Sequence, residues 1–313
     1  MKKPDFFIAG APKCGTTALY SYLEKHPEIY IPDTSSTIEA TYGGKKELHF
    51  FGRDLAFSRP SLEEYLAYYA SATQEKRLGE SSVFYLYSKT AAQEIKEFCP
   101  TARIIIMLRN PVDMIYSWYS QLLFWGDEDV FDLEVALAVE ADRQRGQKLP
   151  SRHDHPIECF FYREIAQFYD QVKRYLDIFG SEQVQIIIFD DFKKDTATVY
   201  RETLKFLDCD ATFMPEFEVV NSNKTIRNRS LQTLLKRPPK SAQVVKHLIP
   251  VSLRQSIRQY LQGFNIKTES RKSMNPELKQ QLQKEFAGEV KRLSGLIGRD
   301  LTFWSHELIF END

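Results

Sequence analysis

The residues with the most chemistry to offer lie within the first twenty. In "FIAGAPKCGTTALY" (7–20) an apolar run ends at Gly10, and Lys13, Gly15, Thr16 and Thr17 follow in quick succession. A strand, a glycine loop and a helix in that order present backbone N–H groups and a positive dipole end to an anion. Gly15 lets the backbone approach a ligand closely, and the hydroxyls of Thr16 and Thr17 add donors. An ordinary strand-to-helix turn would account for the glycines but not for Lys13 or the paired threonines.

The spacing of Gly10 and Gly15 matches G-x-x-x-x-G-K-[ST], yet Thr16 stands where that pattern has lysine. The loop's lysine is Lys13, ahead of the second glycine. In nucleotide triphosphatases the pattern lysine and a hydroxyl-bound Mg²⁺ neutralise a γ-phosphoryl group carrying about two negative charges. No acid takes the metal-holding role here, because the apolar run 102–108 ends in Leu108-Arg109. A loop without metal suits a transferred group of lower charge, and a sulfuryl group has one ionisable oxygen fewer than a terminal phosphoryl. A nucleotide or adenylyl-sulfate kinase, dependent on Mg²⁺, and a non-catalytic nucleotide-binding module are the competing readings.

"APKCGTTAL" closely resembles the 5′-phosphosulfate-binding loop of sulfotransferases that use 3′-phosphoadenosine 5′-phosphosulfate (PAPS). "LRNPVDMIYSWY" resembles their 3′-phosphate-binding strand and helix, and "LIGRDLTFW" is similar to the ending of many members. The likeness covers most of the chain, with 224–272 the least matched region. It implies that Lys13 serves the bridging oxygen of the phosphosulfate, and that the amides of Cys14, Gly15, Thr16 and Thr17 bind the 5′ end. It places Arg109 and Ser117 on the 3′-phosphate, and the fork of Arg109 suits that group. "NSNKTIRNRS" (221–230) is similar to a loop that closes over the nucleotide, which offers Lys224 and Arg227 as further 3′-phosphate contacts. The product would be 3′,5′-diphosphoadenosine (PAP), and no metal is called for.

On the acceptor side, an attacking hydroxyl or amine must lose a proton, so a general base is needed within hydrogen-bond reach. "KKELHFF" (45–51) resembles the K-E-x-H-F-F stretch of the glycan-modifying heparan-sulfate N- and 3-O-sulfotransferases. The resemblance makes Glu47 the base, with Lys46 and His49 beside the reaction centre. In an extended segment Glu47 and His49 would share one side, with Lys46, Leu48 and Phe50 on the other. The plainer alternative is a surface loop anchored by Phe50 and Phe51. "LGESSVFYLY" (78–87) matches a segment that often carries lysine after its glutamate; here that place holds Ser81. Glu80 is a second candidate for base or substrate ligand. His153 and His155 in "SRHDHP" read as substrate-binding residues of a polar loop, and a histidine there is the runner-up to Glu47 as base. A metal site at this pair lacks a third ligand. The acceptor itself stays open: a small molecule or a glycan, anionic or carrier-tethered, with O- versus N-sulfation and oligomeric state equally open.

The elements that must position these residues alternate strand-then-helix, the pattern of a mostly parallel sheet flanked by helices. The expected fold class is α/β: one P-loop-like domain with helices on both faces of the sheet and a helical C-terminal region. Strands are expected at 5–10, near 77–82, at 102–110 and at 184–191. Helices are expected at 15–25, 64–72, 111–124, 164–180, 196–207 and 275–298. Asn110 as N-cap, Pro111 at N1 and Asp113 at N3 give the 111–124 helix strong start signals. In 275–298, Leu278, Leu282, Phe286, Val290 and Leu293 hold one face at helical spacing. No repeat or linker interrupts the chain, so a single domain over 1–313 is the simplest organisation.

Composition excludes several classes. The 313 residues are 42% hydrophobic and 27% charged, an ordinary globular balance. A net charge of −1 argues against a general nucleic-acid binder. The average hides an asymmetry: residues 221–272 contain twelve Lys/Arg and one acid, Glu269, so they carry +11 against −12 elsewhere. That basic segment is either a solvated surface or a positive wall facing an anionic ligand. The four cysteines form no C-x-x-C pair and suit a reducing compartment. With no run of ~20 apolar residues and no signal-like N-terminus, a cytoplasmic protein without a transmembrane segment is expected.

Overall fold

Continuous apolar runs become the buried strands of a parallel sheet. In the computed structural model, residues 2–32, 47–218 and 273–305 are described in full, and 224–226 and 266–268 by backbone. Lys46, Arg227 and most of the basic segment lie outside the described residues, and of Lys224 only the backbone is described. The chain runs β1 (Phe6–Gly10), α1 (Thr16–Leu23), β2 (Ile29–Tyr30), α2 (Leu62–Ala67), β3 (Arg77–Ser81), α3 (Ala91–Phe98), β4 (Arg103–Leu108) and α4 (Pro111–Trp125). It continues through α5 (Leu133–Ala138), α6 (Glu140–Gln144), α7 (Tyr162–Ile165), α8 (Phe168–Phe179), β5 (Val184–Ile188), α9 (Phe189–Lys194) and α10 (Thr196–Phe206). Strands β6 (Lys224–Ile226) and β7 (Ile266–Thr268) precede α11 (Pro276–Ile297).

Five strands pair in parallel in the order β2-β3-β1-β4-β5. The two central strands are buried end to end apart from Arg103, which explains why they read as unbroken apolar runs rather than alternations. Strand β3 lies so close to β1 that a Cβ at Gly79 would sit 2.1 Å from the Phe6 ring, so only glycine fits there. Strands β6 and β7 form a separate antiparallel ribbon, with β6 running beside α4.

Helix starts follow the capping chemistry expected of them. The Asn110 side chain accepts from the Val112 N–H at 3.0 Å, with Pro111 at the first helical position. Ser61 and Glu64 form a reciprocal capping box, so α2 begins at Leu62 and ends before the expected 72. All five residues of the expected apolar face of α11 are buried.

Two expected elements are corrected. The 164–180 stretch is two helices, α7 and α8, with the two sides of the break held by one local and one distant side chain. The Gln171 side chain donates to the Ile165 carbonyl at 3.1 Å, and Glu289 accepts from the Tyr169 N–H. The 184–191 strand ends at Ile188, where α9 begins. Asp190 and Asp191 in its first turn and Lys193 and Lys194 in its last complement the helix dipole.

Where the loop after α4 meets α6, Glu128 and Arg143 form a bidentate pair at 2.7 and 2.8 Å with both side chains fully buried. The Tyr162 hydroxyl donates to the same carboxylate at 2.6 Å. Glu128→Ala leaves a buried guanidinium without its counter-charge and should cost on the order of 3–5 kcal/mol of stability. Equilibrium urea unfolding checks this; a loss below about 1 kcal/mol would contradict the brace.

Candidate active site

Chemistry collects where β3, β1 and β4, three adjacent parallel strands, end. Ligands of open α/β sheets bind at such carboxyl ends. The loop after β1 carries Lys13 to Thr17, the turn after β3 meets Glu47, and β4 delivers Arg109.

The donor loop has the backbone of an anion cradle. Lys13 has φ 64° and Gly15 has φ 89°, left-handed values that turn successive N–H groups into one concavity. For a non-glycine residue such as Lys13 this conformation costs on the order of 1–3 kcal/mol, an outlier of the kind found at functional sites. Gly15 has a second reason to lack a side chain: its Cβ would lie 2.9 Å from the Phe189 ring. No side chain caps the start of α1, so its first-turn amides face the loop as the dipole requires. Thr16 is buried against Gly10, while Thr17 is partly open. The Cys14 thiol is buried, and burial pushes its pKa up to about 12, so it stays protonated and contributes through its backbone.

Arg109 is fastened to this loop. Its guanidinium donates to the Lys13 carbonyl at 3.3 Å, sits 3.7 Å from Asp113 and lies over the Phe189 ring at 5.0 Å. The Lys13 ammonium donates to Gln121 Oε1 at 2.8 Å. Ser117 lies one turn before Gln121 on α4 and is buried at 2% exposure, so Lys13 reaches the helix face that carries Ser117. The ending "RDLTFW" ties α9 to the start of α4: the Trp304 indole donates to Asp190 at 2.9 Å, and Asn110 donates to the Trp304 carbonyl at 3.0 Å. Strand β6, which carries Lys224, runs beside α4.

At Glu47 the expected alternation is corrected. His49 has φ 48°, so the segment turns instead of staying extended. The turn still brings carboxylate and imidazole together: His49 Nε2 lies 3.5 Å from Glu47 Oε2, which also accepts from the Val83 N–H at 3.3 Å. His49 stacks flat on Phe57 at 3.9 Å. Glu80, expected as base or substrate ligand, is placed inside the protein at 1% exposure. Tyr65, Tyr85 and Ser82 all donate to its carboxylate. Burial raises its pKa to about 7, against the lowering effect of those three donors.

His155 lies apart from His49. Its Nδ1 meets buried Asp127 at 2.8 Å, and its ring stacks on Trp125 at 4.6 Å. His153 Nδ1 lies 2.6 Å from the His155 carbonyl. A row of rings, Phe57, Phe84 and Trp118, connects the His49 side to the His155 side.

Sequence reasoning did not single out Gln121, Phe189, Asp127, Ser82 or Tyr85. For Gln121 a signal existed, since it follows Ser117 by four residues on one helix face. The others join the site only through the fold.

The chain matches the sulfotransferase-domain family over residues 3–296. It is 30% identical to a sulfotransferase from Alicyclobacillus acidocaldarius of known crystal structure, with a TM-score of 0.70 covering 98% of this chain and 100% of that one. It is 27% identical over 221 residues to a bifunctional heparan sulfate N-deacetylase/N-sulfotransferase 1 of Caenorhabditis briggsae, covering 68% of this chain and 23% of the relative. It is 28% identical over 206 residues to the human enzyme numbered 3 of the same name, covering 65% of this chain and 22% of the relative. The chain thus spans under a quarter of the length of those relatives. It belongs to the sulfotransferase family, whose sulfuryl donor is PAPS. Among the described residues no helix is long and apolar enough to cross a membrane.

Proposed function

We propose that this protein transfers the sulfuryl group of PAPS in line to a hydroxyl or amine of a saccharide acceptor, without a metal, and releases PAP. The observation that carries the reading is the convergence of a left-handed lysine loop, a phosphate-suited arginine and a carboxylate–imidazole pair at three neighbouring strand ends. PAPS would lie with its 5′-phosphosulfate against the amides of Cys14 to Thr17 and the Thr16 and Thr17 hydroxyls. Its 3′-phosphate would meet Arg109 and Ser117, with Lys224 and Arg227 as further contacts. As the S–O bond to the leaving group breaks, negative charge grows on the bridging oxygen, and Lys13 stabilises it. Glu47 takes the acceptor proton as the acceptor oxygen or nitrogen bonds to sulfur. His49 and Lys46 would hold that carboxylate and the sulfuryl oxygens. His155, fixed by Asp127, is a candidate to hold the acceptor away from the donor, with His153 beside it.

The saccharide acceptor rests on the names of the heparan sulfate enzymes to which the chain is similar, and on "KKELHFF". Arg109 supplies the test of the nucleotide pose. Calorimetry in EDTA should find PAP binding to the wild type and at least about tenfold weaker binding to Arg109→Ala, the loss of a charge-assisted contact. Equal affinity for PAP and adenosine 5′-phosphate, or a requirement for Mg²⁺, would contradict the reading and favour a kinase.

A further inference from the structure

The side chains proposed to do chemistry at the acceptor end are held by backbone that has no helix or strand to fix it. Residues 47–50 form no regular structure, and His49 takes a left-handed conformation within them. Something else must hold this turn, and its hydrogen bonds lead to one group. Ser82 Oγ accepts from the Leu48 and His49 N–H groups, both at 3.1 Å. The Tyr85 hydroxyl accepts from the Phe51 N–H at 3.2 Å. Accepting from backbone N–H groups, each hydroxyl keeps its proton to donate, and both donate to Glu80 Oε1. The other oxygen, Oε2, takes the Tyr65 hydroxyl, and the Tyr65 ring stacks flat on Phe50 at 4.0 Å.

We infer that Glu80 is the positioning residue for Glu47, acting through Ser82 and Tyr85 on the backbone of residues 48, 49 and 51. The inference rests on the reading of Glu47 as the base. Glu80 is the fourth residue of β3 and pairs in register with Phe7 of β1, the strand that leads into the donor loop. One carboxylate thereby ties the base segment to the frame that carries Lys13. Glutamate is suited to the post because it accepts all three hydroxyl protons at once, whereas a water or serine there could not. Glutamine keeps one oxygen for Ser82 and Tyr85 and can donate its amide to the Tyr65 oxygen, so it should preserve both relays. Alanine removes them.

Amide hydrogen exchange on the full chain tests this without any ligand. In Ser82→Ala, exchange at Leu48 and His49 should rise by about tenfold or more, as expected when a backbone N–H loses its buried acceptor. In Tyr85→Phe the rise should be confined to Phe51. Glu80→Ala should raise all three, Glu80→Gln should leave all three within about threefold, and the amides of β4 and α11 should not respond in any variant. A general rise that Glu80→Gln does not rescue, or no rise at 48 and 49 in Ser82→Ala, overturns the proposal. The same variants are then scored by release of PAP from PAPS and by PAP affinity. Ser82→Ala should lower turnover about tenfold with affinity unchanged. A rise in exchange with normal turnover would overturn the positioning role, whereas failure of Glu47 as the base is read separately from Glu47→Gln.

Discussion

Glu47→Gln is expected to lower PAPS turnover by about 10²–10⁴-fold, the usual contribution of a positioned general base, while PAP affinity changes by no more than a few-fold. Glutamine matches the shape of the side chain and can still accept from the Val83 N–H, so the turn at 47–49 should survive. What is lost is the ability to take a proton. His49, 3.5 Å away, is placed to orient the carboxylate, and its left-handed backbone aims its ring at Glu47 rather than along the chain. If turnover stays near wild type, the base lies elsewhere. His155 is then the next candidate, because Asp127 on Nδ1 leaves Nε2 as the proton-accepting nitrogen. Glu47→Gln and His155→Ala measured side by side separate the two.

The second large effect belongs to Lys13. Lys13→Ala should reduce the chemical rate by about 10²–10³-fold, since a contact aimed at developing charge is worth on the order of 3 kcal/mol. Single-turnover release of PAP isolates that step from product dissociation. Lys13 already sits at the mouth of the loop, with its carbonyl held by Arg109 and its ammonium on Gln121. Lys13→Arg should recover little, because a planar fork does not replace a point charge at a single bridging oxygen. A normal kcat with only a raised KM would show that Lys13 serves ground-state binding, and the transition-state role would be wrong.

Much of the donor side was legible in the residues themselves. Apolar runs with sharp ends gave β1 and β4, and Asn110-Pro111 gave the start of α4 to the residue, because capping chemistry is local. The loop between Gly10 and Thr17 could be read as an anion cradle for the same reason. The acceptor side was legible only in part. "KKELHFF" offers Glu47 as a candidate base, but the turn at His49 is held by Ser82, which follows it by 33 residues. "LGESS" reads as a short strand and offers Glu80 as a base or substrate ligand. Its burial is set by Tyr65 and Tyr85, whose positions no local pattern relates to it. The break between α7 and α8 is of the same kind, since Glu289 stands 120 residues away from the amide it holds. Where partners are distant in sequence, periodicity and propensity carry no information about them.

The most direct test of the account is sulfuryl transfer itself, measured with ³⁵S-labelled PAPS in EDTA. Wild-type and Glu47→Gln proteins are given a glucosamine-containing oligosaccharide with free amines and hydroxyls, and a fractionated host extract in parallel. Label is expected in a covalent sulfated product with the wild type, with an equimolar yield of PAP and a drop of about 10²-fold or more with Glu47→Gln. Binding of PAPS with no labelled product from either source, or transfer that EDTA abolishes, would contradict it.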